Sequence, residues 1–104
     1  MSGSDYEREL KAKLTNKGWL VFRSAGSFVC DLIALRPHNH MIVEAKATKY
    51  DVFYTSSDKG QFDALNNLAK EGFNVYYYIR WKGKNDWSSY QLPLDPYPVF
   101  RREE

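Results

Sequence analysis

The sequence predicts a single α/β domain in which a central mixed β-sheet is flanked by helices, in the order αβββαβ with a small final strand. Three observations carry this. The chain has 104 residues, enough for one compact core and too few for two ordinary domains. Hydrophobic residues make up 43% and charged residues 27%, the balance of a chain that packs a core rather than of a disordered one. Two stretches with apolar residues at helical intervals alternate with short β-rich runs, as expected of helices packed on a sheet.

Ser4 and Glu7 have the spacing of a capping box, and Tyr6, Leu10 and Leu14 then recur with helical period up to Gly18, so a first helix is expected over Asp5–Lys17. Trp19–Arg23 is a short strand by its bulky and β-branched content, followed by the small-residue loop Ser24-Ala25-Gly26-Ser27. Phe28–Arg36 and His40–Thr48 form an antiparallel hairpin around the turn segment Pro37-His38-Asn39-His40. A loop with three aromatics, Lys49–Ser57, leads to a second helix capped by Ser57 or Asp58 and running to Glu71, with Phe62, Leu65, Leu68 and Ala69 on its inner face. Phe73–Trp81 reads as a strand buried on both faces, and Asp86–Leu92 as a last edge strand. Three prolines within six residues make the end of the chain, 93–104, an extended tail of the one domain that spans 1–104.

The longest apolar run, Val75–Ile79, is far short of the roughly 20 residues that cross a bilayer. The start MSGSDYERELKAK has no apolar stretch behind a basic one, so the cytoplasm is the expected location. One cysteine, Cys30, excludes a disulfide scaffold or a cysteine-rich zinc site and reads as a small core residue. Fifteen Lys and Arg stand against thirteen Asp and Glu. If three of the acids are gathered in a metal site, the remaining surface carries fifteen cations and ten anions, a balance that suits a nucleic acid.

The hairpin holds charges where a core is expected. Asp31 interrupts FVCDLIAL, and Glu44 and Lys46 interrupt MIVEAKA. An unpaired ion there would lose several kcal/mol of hydration, so the groups must be paired or bound to a metal. Glu44 and Lys46 share a face about 6.6 Å apart. If the turn pairs Arg36 with Met41, Asp31 lies across from Lys46 and Ile33 across from Glu44, with opposed Cβ atoms about 4.5–5.5 Å apart. Glu7 shares a helix face with Leu10 and Leu14, which must pack on the sheet, and so can join them. Carboxylates plus a backbone carbonyl, that of Ala45, make an all-oxygen site suited to Mg²⁺, with Mn²⁺ as a substitute, and Lys46 can orient or deprotonate an attacking water. Each residue also has a structural reading: Glu7 as the partner in a capping box, and Asp31 and Lys46 as a cross-strand ion pair.

Asp followed thirteen residues later by Glu-Ala-Lys, after an N-terminal helix bearing a Glu, resembles the PD-(D/E)xK nuclease superfamily. The strings YEREL, VFRSAGS, DLIAL and VEAKATKY, in this order and spacing, are similar to the archaeal Holliday junction resolvases. The resemblance covers the first half of the chain strongly. It implies a restriction-endonuclease-like core and a homodimeric, Mg²⁺-dependent endonuclease that cuts paired strands of a four-way DNA junction. Matched by position, Glu7, Asp31, Glu44 and Lys46 correspond to the family's catalytic set, Arg8 and Arg23 to its basic residues near the scissile phosphate, and Ser27, with Gly26, to its mobile loop. Two other function classes are a related nuclease with nicking or flap specificity and a non-catalytic DNA-binding scaffold.

The remaining candidates have weaker signals. His38 and His40 sit in a polar turn with no nearby carboxylate and read as turn residues. Tyr50, Phe53 and Tyr54, interleaved with Lys49 and Lys59, are candidates for stacking on opened bases, for a dimer contact or for a simple loop staple, with Lys49 and Tyr50 the DNA-binding candidates among them. Aromatics at 16% exceed what a small core needs, which points to a second subunit. Gln91, Leu94 and Tyr97 have the spacing of part of a sliding-clamp-binding box, with Pro98 where a second aromatic would stand.

Overall fold

The computed structural model describes residues 3–24, 30–84 and 86–103. Helix α1 spans Gly3–Asn16 and is followed by β1 (Leu20–Arg23), β2 (Leu32–Arg36), β3 (Asn39–Thr48) and the short β4 (Val52–Tyr54). A 3₁₀ turn, Thr55–Asp58, opens into α2 (Lys59–Lys70), and β5 (Val75–Trp81), β6 (Trp87–Leu92) and β7 (Val99–Arg101) complete the chain. The central sheet has the order β1-β2-β3-β5-β6. Only β3 and β5 run parallel, joined across α2, so the sheet is mixed as the alternation of elements predicts. Among the described residues no helix is long and apolar enough to cross a membrane.

The sheet separates two cores. Leu10 and Leu14 of α1 pack with Val21, Leu32, Ala34 and Val43 on one face. Phe62, Leu65 and Ala69 of α2 pack with Ile42, Val75, Tyr77, Ile79 and Trp81 on the other. Burying one such side chain stabilises the fold by roughly 1.5–3 kcal/mol, so each helix is held by its stripe rather than by propensity. Asp58 caps α2, its Oδ1 accepting from the Gln61 N–H at 3.0 Å. In β5 the residues facing α2 are fully buried and those facing α1 half-buried, so the strand is covered on both sides but unequally.

The hairpin register differs from the expected one. Arg36 faces Asn39, not Met41, because the turn has two residues, Pro37-His38, with His38 at φ +63°. The shift is an even number of residues, so every side chain keeps its face. His40 belongs to β3, its ring nitrogen accepting from the Asn74 N–H at 3.0 Å.

The C-terminal segment is extended but docked. Leu94 exchanges two hydrogen bonds with the amide of the buried Asn66, both at 3.0 Å. Phe100 enters the α2-side core, stacked on Tyr90 at 4.0 Å, and β7 pairs with β4 in a separate two-stranded sheet.

Candidate active site

Asp31 occupies a bend immediately before β2, where that strand leaves the longer β3. Its N–H donates to Val43 O and its Oδ2 accepts from Ala45 N, each at 3.0 Å. The last ladder pair is Leu32 with Val43, so Asp31 comes level with Glu44 rather than with Lys46. Because N–H and C=O of one strand residue point to the same edge, the Ala45 carbonyl faces the same open side as its N–H. Ser24 closes the bend from β1, its N–H donating to Asp31 O at 2.9 Å and its hydroxyl to Cys30 O.

Glu44 is 3% exposed, on the α2 face of β3. Two donors converge on its Oε2: Lys46 Nζ at 3.1 Å from the same strand and Gln61 Nε2 at 2.8 Å from the first turn of α2. Lys46 keeps about a third of its side chain in solvent.

Glu7 arrives from the other side of the sheet. The stripe of α1 packs opposite to Glu44, so helix-face packing alone does not bring Glu7 to the acids, contrary to expectation. It meets them at the sheet edge, close enough to Asp31 beyond the start of β2 to interact with its carboxylate, while Arg23 at the end of β1 pairs with its Oε2 at 3.0 Å.

Glu7, Asp31 and Glu44 therefore form a chain of acids with Asp31 as the shared member. Burial and the neighbouring Asp31 charge push the Glu44 carboxyl up to about 7 against the pull of Lys46. Glu7 is raised as well, by burial and by its interaction with Asp31, with Arg23 opposing. Carboxyls whose proton affinity is raised in this way are ligands short of positive charge. A hard divalent cation fits that deficit: the acids and the open Ala45 carbonyl offer oxygen only. Among the described residues no three acids or imidazoles already form a closed cage, so Asp31 and Glu44 with the Ala45 carbonyl would be the nucleus of such a site and Glu7 its outer member.

The other expected residues divide. Arg23 is drawn to the acids; Arg8 is exposed and pairs with Asp5 in its own helix at 3.7 Å. Lys49 lies 5.4 Å from the ring of Tyr50, which is exposed. Gly26 and Ser27 lie outside the described residues. Phe53 is committed to the core around Phe100. Gln91 is a ladder residue of β6 with an exposed side chain, Leu94 is exposed, and Tyr97 packs on Phe62 while its hydroxyl donates to Asp63 at 3.0 Å. Sequence reasoning missed Gln61. Its signal was a polar residue immediately before the inward-facing Phe62 in the first turn of α2.

The sequence profile described as "Archaeal holliday junction resolvase (hjc)" matches residues 1–95. The chain belongs to the archaeal Holliday junction resolvase family. A curated Hjc relative, the "Crossover junction endodeoxyribonuclease Hjc" of Methanocaldococcus jannaschii, is 45% identical over 83 residues, which are 79% of this chain and 61% of the relative. The match thus spans about three fifths of that Hjc protein's length. The fold of this family member is also that of the Archaeoglobus fulgidus Hjc in a structure described as a Holliday junction resolvase from an archaeal hyperthermophile. The TM-score is 0.76, with 23% identity, over 95% of this chain and 83% of that one.

Proposed function

We propose that the chain is a divalent-metal-dependent endodeoxyribonuclease that cuts four-way DNA junctions as a homodimer. The observation that carries the reading is the chain of acids, Glu7–Asp31–Glu44, beside Lys46 and Arg23 at an open strand edge, in a member of the resolvase family. Asp31, Glu44 and the Ala45 carbonyl would hold the ion, Mg²⁺ with Mn²⁺ as substitute, and Glu7 would complete the set. When bound, such an ion supplies charge stabilisation at the scissile phosphate. Lys46, about a third in solvent and 3.1 Å from Glu44, holds the attacking water and moves its proton. Gln61 fixes the Glu44 carboxyl so that its free oxygen keeps one direction. Arg23, half exposed, offers guanidinium donors to a phosphate next to the cut, and Arg8, Lys49, Tyr50 and the Gly26-Ser27 loop are further backbone contacts. One such site cuts one strand, and resolving a junction needs two symmetric cuts, hence a two-fold dimer working where the cell keeps its DNA, in the cytoplasm. Leu20, Phe22 and Leu35, all large and 41–60% exposed, are apolar area that a second copy could cover.

One gel tests this: matched four-way junction, duplex, flap and single strand, each with Mg²⁺ and with a chelator. Paired, Mg²⁺-dependent cuts in the junction alone are expected. Preferred cutting of the flap or nicking of the duplex would replace the junction by another substrate, and no cutting of any form would leave a binding scaffold.

A further inference from the structure

A concentration of cations among the described residues lies where β3 and β5 end together. Lys82 N donates to Thr48 O at 3.0 Å, so Lys49 and Lys82 leave the sheet side by side, and with Tyr6 of α1, the neighbour of Glu7, they line an open groove of about 410 Å³. A second groove of about 680 Å³ adjoins it in sequence on both strands, lined by Asp51, Val52, Lys84, Arg101 and Arg102. The C-terminal segment builds this second groove. Pairing of β7 with β4 sets Arg101 against Val52, Arg102 N donates to Asp51 O at 2.9 Å, and Lys84 Nζ donates to Glu103 O across the groove.

Across the two grooves five cations line the walls against the single carboxylate of Asp51, and Glu103 adds one more at the rim. Asp51 is 84% exposed and only 3.6 Å from Arg102, a surface pair of little strength that leaves the guanidinium open to a stronger anion. Lys82 and Arg101 have no carboxylate partner among the described residues. An open trough with cations in series suits a repeating anion rather than a small ligand. Arg101 and Arg102 lie beyond residues 1–95, so the family pattern does not account for them.

We infer that the two grooves form one phosphate track, in which the folded-back C-terminal strand grips the backbone of a duplex arm beyond the cut. The inference rests on the proposed nuclease reading for its choice of DNA as the polyanion. Each phosphate contact contributes about 0.9 to the slope of log K against log salt. In full-length protein, Arg101→Gln with Arg102→Gln lowers that slope by about 1–2 for junction binding, while the single-turnover cutting rate at saturating protein is unchanged. A charge-matched control, Lys17→Gln with Lys70→Gln, changes the slope by less than about 0.5. Asp51→Asn, which leaves the β4–β7 pairing in place, tightens binding, and this opposite sign keeps the idea testable if the double variant does not fold. A wild-type slope in the double variant, an equal loss in the control, or weaker binding by Asp51→Asn overturns the track. If the wild-type protein prefers duplex or flap, the junction reading fails while the slopes, measured on the form it binds, still decide the groove. A wild-type protein that binds no DNA overturns both.

Discussion

Glu44 is a carboxyl placed where both of its protonation states are costly: ionised it faces Asp31 from within the core, and protonated it weakens its bond to Lys46. Because its folded-state value is raised from 4.5 to about 7, the stability it contributes is fully present below about pH 4.5 and is lost as pH rises through 7. In metal-free protein the loss at pH 8 is on the order of 3 kcal/mol, and Glu7 adds to it in the same direction. Glu44→Gln removes the dependence. Thermal melts in chelator therefore show the stability of Glu44→Gln gaining on wild type between pH 5 and pH 8, and a constant difference across that range contradicts the assignment of the proton to Glu44. The acids themselves were legible in the sequence because a charge in an apolar strand is a visible cost. Gln61 was not, since its partner depends on how α2 crosses β3.

At the scale of elements, the hairpin and both helices follow from local pattern, whereas β4 and β7 do not. Each is three residues long and their pairing joins residues nearly half the chain apart, so no periodicity announces it. The register error has a local cause: His38 takes the left-handed conformation, a role usually signalled by Gly or Asn, and the turn therefore looked longer than it is. The docked C-terminal segment has an energetic consequence. Phe100, 4% exposed among Tyr77, Tyr90 and Phe53, is a core residue, and Phe100→Ala costs about 3–5 kcal/mol. Chain removal after Pro93 also strips the buried Asn66 amide of both partners, at about 1–3 kcal/mol. Denaturant unfolding of the two variants checks this; midpoints equal to wild type would make the segment an appendage.

At the scale of the whole molecule, one copy measures 35 × 29 × 26 Å, so its long axis matches about one helical turn of duplex, roughly 34–36 Å. On the proposed reading a single copy lies along one arm, and a second copy related by a two-fold axis would reach the paired strand. The sheet is what makes the site possible: β2 stops short of β3, and acids from the hairpin meet one from the opposite helix at that open edge. The claim that these acids together serve the cutting step is tested most directly by comparing wild type with Asp31→Asn, the member shared by the other two, in single-turnover cutting of a four-way junction with Mg²⁺ while junction binding is measured alongside. Cutting falls by more than about 100-fold with binding close to wild type if the acids act as described. Undiminished cutting by Asp31→Asn contradicts it.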